Sequence, residues 1–458
     1  MVNNMEQTIK VGDVITLNIK RMGINGEGIG YHEKLAVFVE HALPGETVEA
    51  RVSEVYDNRA LAELTDIIKQ SKDRIDPFCP VYDACGGCQT QHYDYDAMLK
   101  QKRDILLKSF DRYIGKNDYD KITETIGMEN PLNYRNKASL PVRMIDGKNR
   151  FGMFARNSNR FIPIDECGIQ HDMVNAILNT IIELMDDYQL DAYDFINNTG
   201  YILSLVVRVS ENLNEAQVSF ITSQACPNLK ALTHHLVVKH PEIVSVYEVI
   251  NSDKRQAFFI ENAHMLYGKA TINEELGGYQ FELKPESFFQ LNVTQADKFY
   301  KIMKEQASLS QDSVVVDVYS GINPVSHYMR KKVKKIYAVP LEKNQTINEL
   351  SFSKNTIEHI KHFKDFDVNN HEIVDVMFYD PTRQGLTQQG IDFVLSVKPK
   401  KLIYGSSNPS TLAKDLSQLL KEYEIIQVVP IDMFPYTSLV ESISMLELKE
   451  LNKAGENK

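Results

Sequence analysis

The chain has 458 residues, 43% of them apolar and 25% charged, with five cysteines. This balance excludes disorder as the main state, and so long a chain buries enough apolar surface to fold without disulfides or a structural metal. Lysine and arginine total 51 against 62 acidic residues, a net charge of −11, so any nucleic-acid contact needs a local basic face. No stretch approaches the roughly 18 consecutive apolar residues of a membrane span. Met1–Gly12 is polar, with no apolar signal core. The odd, sparse cysteine count fits no secreted disulfide scaffold. The expectation is a cytoplasmic monomer with no membrane or DNA partner.

Residues 10–70 read as short alternating strands: Val14–Ile19, Leu35–Val39, Thr47–Val52 and a run near Arg59–Ile68. Glycine-rich turns separate them, which predicts a small β-barrel over 1–70. A linker from Ser71 through Pro80 leads to a helix over Ala97–Phe110. Residues 120–285 read as mixed α/β, with Leu203–Val209 a strand. A helix is expected from Val293 to about Gln306. Beyond it, Val314–Tyr319, Ile336–Val339, Val376–Asp380 and Lys401–Tyr404 are apolar strands alternating with helical stretches. Such alternation predicts a parallel sheet covered on both faces, a Rossmann-like domain over 285–458. The domain division is therefore 1–70, 71–284 and 285–458.

Cys79, Cys85 and Cys88 lie within ten residues, in Cys-Pro-Val-Tyr-Asp-Ala-Cys-Gly-Gly-Cys. Gly86 and Gly87 let the backbone wrap so that both flanking thiolates face one centre. A closed four-thiolate site needs a partner, and Cys167 and Cys226 are the candidates. Thiolate cages suit zinc or an iron–sulfur cluster, and three clustered cysteines with one distant favour the cluster.

Together these pieces resemble the S-adenosylmethionine-dependent RNA (uracil-5-)methyltransferases, the family that methylates uridine carbon-5 in 23S rRNA and tRNA. The resemblance spans nearly the whole chain. It rests on the cysteine set, on Asn133-Tyr134-Arg135-Asn136-Lys137, on Ser287-Phe288-Phe289-Gln290-Leu291-Asn292 and on Asp432–Glu441. It implies three parts: an OB-like TRAM barrel that binds RNA, a central α/β domain with the iron–sulfur loop, and a Rossmann-like class I methyltransferase domain. It implies a 4Fe–4S cluster on Cys79, Cys85, Cys88 and Cys167. S-adenosylmethionine would meet Gln290, Tyr319, Gly321 and Asp380, and Glu441 would take the carbon-5 proton. Arg135, Lys137 and Tyr134 are expected to face RNA. The run Arg330–Lys335 is expected to be a solvated face.

The chemical positions depart from the family pattern. Its nucleophilic cysteine, in Tyr-x-Ser-Cys-Asn-Pro, is Ser407 here. A serine hydroxyl needs an adjacent base, and the histidine often found two residues before the proton acceptor is Leu439. The acid that clamps the cofactor ribose is replaced by Pro340, and the second glycine of the cofactor turn by Asn323. Ser407 is therefore expected to be a strand-end residue that hydrogen-bonds locally. The leading expectation is an RNA-binding iron–sulfur homologue, a partner of rRNA or tRNA, that has lost catalysis. One alternative is an active enzyme with a rearranged site, using Glu342 for the ribose and Cys226 as the thiol. Another is a redox-responsive RNA regulator.

Overall fold

The computed structural model describes residues 9–251, 263–318, 324–339, 357–360, 363–366 and 373–449. The first six strands are β1 (Val14–Asn18), β2 (Arg21–Met22), β3 (Gly28–His32), β4 (Leu35–Val39), β5 (Thr47–Tyr56) and β6 (Arg59–Lys69). They form one sheet in the order β1-β5-β6-β4-β3-β2. Its alternation fits a half-buried surface: Val48, Ala50 and Val52 of β5 point inward, while Arg51 is exposed. The sheet curls until the chain after β1 meets β3, where the Lys20 amide donates to the Ile29 carbonyl (2.9 Å). Gly28 permits that curl, because a Cβ there would lie 2.5 Å from the Ala42 carbonyl oxygen. The expected barrel is present. Arg74 pins it to the following segment by donating to both carboxylate oxygens of buried Glu46, at 2.6 and 2.8 Å.

Helix α1 (Tyr95–Tyr113) starts where the Asp94 side chain accepts from the Ala97 amide (3.0 Å). Its buried face carries Met98, Lys102, Ile105, Leu106 and Phe110 at helical spacing, with a lysine inside the apolar stripe. Lys102 is completely buried, its Nζ 2.5 Å from Asp432 Oδ1. It also donates to the Phe434 and Leu439 carbonyls, at 3.1 and 2.8 Å. The Tyr95 hydroxyl donates to the second Asp432 oxygen (2.8 Å).

The central sheet contains β7 (Lys137–Ile145), β8 (Lys148–Phe154), β9 (Phe161–Pro163), β10 (Ile202–Ser210), β11 (Glu215–Thr222), β12 (Ile243–Ile250) and β13 (Ala263–Gly268). Their order is β13-β12-β11-β10-β7-β8-β9. Helices α2 (Asp172–Asp187) and α3 (Leu229–Lys239) cover one face, packing Ile177, Leu178, Ile181 and Leu232 on Leu140, Leu205 and Val218. A hairpin of β14 (Ile272–Leu276) and β15 (Tyr279–Leu283) follows.

Helix α4 (Val293–Ala307) leads into the last sheet: β16 (Val314–Val318), α5 (Pro324–Met329), β17 (Lys335–Val339), β18 (Ile357–His359), β19 (Val376–Tyr379), α6 (Gln388–Val397), β20 (Lys401–Ser406), α7 (Pro409–Leu419), β21 (Tyr423–Ile431) and β22 (Glu441–Leu448). The strand order is β18-β17-β16-β19-β20-β22-β21, with β22 antiparallel to both its neighbours. Val314, Val316 and Val318 of β16 face one core and Val315 the other, which explains the continuous apolar run. One core takes in α1, α6 and α7. The other takes in α4, α5 and the β14–β15 hairpin, so packing on that side continues upstream of residue 285. The sheet's connections diverge between β16 and β19, where open α/β sheets form their ligand crevice. No helix among the described residues is long and apolar enough to cross a membrane.

Removing one partner of a fully buried ion pair leaves an uncompensated charge, which typically costs about 3–5 kcal/mol. Lys102→Ala should lower unfolding stability by that order in a denaturant titration. Lys102→Met combined with Asp432→Leu should recover most of the loss.

Candidate active-site cleft and cysteine cavity

Two carboxylates end the strands that flank the crevice. Asp317 of β16 is 1% exposed and accepts from the Ser326 hydroxyl at 2.5 Å. Asp380 follows β19, beside the hydroxyl of fully buried Tyr300. Gln290 Nε2 donates to that same hydroxyl (3.1 Å), so the structure brings Gln290 and Asp380 together through a tyrosine that sequence reasoning missed. Glu441 opens β22 close enough to feel Asp380, Arg383 and Lys102. Burial pushes Glu441 up to about 8, with Asp380 adding to the rise and Arg383 and Lys102 opposing it. Burial likewise raises Asp317 to about 7 and Asp380 to about 6. Three carboxyls that hold protons near neutrality make a site poised for proton transfer. Tyr319, Gly321, Asn323, Pro340 and Glu342 lie outside the described residues.

Ser407 is half-buried in the wall of a cleft of about 830 Å³ between the barrel and the last sheet. It stands between the end of β20 and Asn408, which caps α7 by accepting from the Ser410 and Thr411 amides. The local hydrogen bonding expected of Ser407 belongs to its neighbour instead. Ser406 Oγ donates to the Asn408 carbonyl (3.2 Å) and accepts from the Asn408 amide (3.3 Å). This leaves Ser407 as the cleft residue. Among the described residues lining the cleft there is no histidine, lysine or cysteine. Leu439 lines it, at the place where a histidine would serve as base. Cys226 lies in the loop between β11 and α3, its amide donating to Glu248 Oε1 (2.8 Å), and does not line the cleft. Burial pushes its thiol up to about 12.

The charge of the cleft differs from the expected basic face. The barrel wall contributes Glu27, Glu40, Glu54 and Glu63, whereas the cations are Arg156 and Arg383. Arg156 is engaged by Glu40 at 3.5 Å and Glu27 at 3.8 Å. The run Arg330–Lys335 leads into β17 at the N-terminal ends of the parallel strands, whereas the crevice lies at their C-terminal ends. Arg330 packs over Tyr279 (5.0 Å) and Lys335 pairs with Glu358 (2.5 Å), in keeping with a surface role.

The motif around Tyr134 is also internal. Tyr134 is 9% exposed and its hydroxyl donates to the Pro435 carbonyl (3.1 Å), so it offers no face for stacking. Asn136 Nδ2 donates to the Gln290 carbonyl (3.1 Å), which ties the start of the central sheet to the segment between β15 and α4. Lys137 is lowered to about 8 by burial and by Arg208 and Arg135. Tyr134 and Asn136 therefore hold neighbouring segments in place, which corrects the stacking expected of Tyr134, while Arg135 and Lys137 are half-buried.

Cys79, Cys85, Cys88 and Cys167 line one cavity of about 140 Å³, so the structure brings the four predicted residues together and leaves Cys226 outside. Gly86 is required by packing: a Cβ there would lie 2.9 Å from both the Phe154 carbonyl oxygen and the Arg156 amide nitrogen. The Cys79 amide donates to Gln91 and the Cys167 amide to Asn175, each at 3.2 Å, which anchors the two segments. Burial raises Cys85, Cys88 and Cys167, Cys88 to about 12, so without a cation these thiols stay protonated. Among the described residues no three side chains converge as they would on a single metal ion.

A parallel sheet with one antiparallel strand, carboxyls gathered at the β16–β19 crevice and a small barrel across the cleft define a Rossmann-type methyltransferase architecture joined to a TRAM module. A family model described as TRAM domain matches residues 9–65, and one described as tRNA (Uracil-5-)-methyltransferase matches residues 345–449. An uncharacterized RNA methyltransferase of Enterococcus faecalis is 36% identical, over 97% of this chain and 100% of its own. One from Listeria monocytogenes is 35% identical, over 97% and 99%. The crystal structure of the Pyrococcus abyssi tRNA (uracil-54, C5)-methyltransferase with S-adenosyl-L-homocysteine superposes with a TM-score of 0.71. It is 22% identical and covers 94% of this chain and 100% of that one, a likeness of fold. The chain belongs to the S-adenosylmethionine-dependent RNA (uracil-5-)methyltransferase family.

The raised Glu441 pKa carries a pH signature. Its folded state holds a proton more tightly than the unfolded chain, so this stabilisation is full below about 4.5 and lost as pH rises through about 8. In thermal melts from pH 5 to pH 9, Glu441→Gln should gain stability relative to wild type, the gap widening between about pH 5 and pH 8 and levelling off above.

Proposed function

We propose that this chain is an RNA-binding, cluster-holding member of its family in which methyl transfer to uracil has been lost. The observation that carries this reading is Ser407, set in the cleft wall where the family pattern has its nucleophile, with no histidine or lysine beside it among the described lining residues. Conjugate addition to carbon-6 needs a strong nucleophile. A thiol with a pKa of about 8.5 is a few per cent thiolate at neutral pH, whereas a hydroxyl without a base is inert. The carboxyl of Glu441 then has no carbon-5 proton to remove. What remains is a cleft, a cofactor crevice built on Gln290, Tyr300 and Asp380, and a barrel of RNA-binding type.

Four cysteines gathered on one cavity, three of them within ten residues and one distant, support an iron–sulfur cluster. Cys79, Cys85, Cys88 and Cys167 would hold it. Bound there, it would supply positive charge that converts buried thiols to thiolates and locks two distant segments of chain together. Anaerobic reconstitution with iron and sulfide should load about four irons per chain, and Cys167→Ala should abolish loading. Retention of a full iron complement in that variant would remove Cys167 as a ligand.

The purified protein should transfer no methyl group from S-adenosylmethionine to carbon-5 of uridine in rRNA or tRNA transcripts. Ser407→Cys should restore a measurable rate if the rest of the site is intact. Methylation by the wild-type protein would refute the loss of catalysis.

A further inference from the structure

The central sheet carries a site that the cleft does not use. Arg143, on the sheet face opposite α2 and α3, places its guanidinium carbon 4.6 Å from the ring centre of Phe195, 5.9 Å from Phe154 and 6.0 Å from Phe161. Its hydrogen bond goes to the carbonyl of adjacent Val142 (2.7 Å). Among the described residues no carboxylate lies within ion-pair distance of it, although the chain carries a net charge of −11. Asp194, the acid nearest in sequence to Phe195, is occupied within its own turn by the Ile196 and Asn197 amides and the Asn197 side chain. Burial lowers the Arg143 pKa with no opposing acid. A half-buried cation without a counter-ion is an expensive feature, and it matches an anionic ligand.

The surroundings say which anion. Phe195 is 42% exposed and Ile196 is 89% exposed, so a flat apolar surface lies open beside the cation. Phe154 and Phe161 are the facing ends of the β8–β9 hairpin. The tip of that hairpin carries Arg156 and Asn157 into the cleft. The patch thus shares with the cleft the hairpin whose tip lines it. An aromatic face next to an unpaired guanidinium recognises a nucleobase by stacking and its phosphate by charge. The two cations of the cleft both face carboxylates, Arg156 with Glu40 and Glu27 and Arg383 with Glu441, so affinity for a polyanion must come from elsewhere.

We propose that Arg143 and Phe195, backed by Phe154 and Phe161, form a docking platform for an unpaired RNA nucleotide, where RNA leaving the cleft stacks a base on Phe195 and sets a phosphate on Arg143. The inference rests on the RNA reading above. It is tested by fluorescence anisotropy with a single-stranded oligoribonucleotide and a blunt RNA duplex of equal length, on the intact protein. Phe195→Ala should weaken the single strand by about fivefold or more and leave the duplex unchanged. Arg143→Gln should weaken the single strand and reduce the slope of log affinity against log salt by about 0.7. Thermal melts of both variants check that the fold is retained. Wild-type binding of the single strand with both variants equal to it would overturn the platform and leave RNA binding by the cleft intact. No RNA binding by the wild type would overturn both. Unchanged RNA affinity together with loss of a co-purifying protein in Phe195→Ala would assign the patch to a protein partner and refute the proposal.

Discussion

The buried pair between Lys102 and Asp432 holds the architecture to one arrangement. A fully desolvated ammonium is tolerable only with its full complement of acceptors, and Lys102 finds three on one short stretch: the Asp432 carboxylate and the Phe434 and Leu439 carbonyls. The helix that follows the cysteine loop is thereby fixed to the segment between β21 and β22. Other contacts converge on the same segment. The Gln89 and Thr90 amides, just past Cys88, both donate to the Tyr436 carbonyl. Tyr134 donates to the Pro435 carbonyl, and Phe78 packs edge-on against Tyr436 with ring centres 5.0 Å apart. Ser438, Leu439 and Val440 of this segment form part of the cleft wall, so the cleft inherits its shape from the cysteine loop.

Much of the fold was legible because its signals are local. The valine run of β16, the alternation in β5 and the glycine-punctuated strands of the barrel each follow from a period or a turn residue. The cysteine set was legible because spacing and scarcity coincide. The position of Ser407 was legible from the motif around it. Less accessible was anything decided by a distant partner. Lys102 sits in an apolar stripe, which hints at burial, but its partner lies 330 residues away. The motif at 133–137 looks basic and aromatic, yet burial turns Tyr134 into an internal donor and Asn136 into a tether. Whether Ser406 or Ser407 makes the local bonds depends on which side chain the end of β20 turns inward. The acidic wall of the cleft arises from four glutamates on separate barrel strands and loops, which no sequence window collects.

On the proposed reading, binding and catalysis rest on different parts of the site. Polar groups of the crevice sit in buried frameworks: Gln290 is held by Tyr300, and Asp317 by Ser326. Those frameworks also stabilise the core, so they persist for reasons of folding. The nucleophile position has no such second duty. Ser407 caps nothing and lies at a cleft surface, so the residue there can change while the sheet, the crevice and the cysteine cavity remain.

The distance in sequence between Lys102 and Asp432 has a bearing on how the protein is made. The barrel and most of the central sheet pair strands that emerge from the ribosome soon after one another. Helix α1 cannot take its seat then, because its lysine has no acceptor until the segment before β22 has been synthesised. The cysteine loop immediately upstream is bound to that same late segment through Gln89 and Thr90. During translation the loop therefore has no latch while the rest of the chain is built, and Cys79, Cys85 and Cys88 are not yet held by the late segment. Docking of the last strands closes the latch.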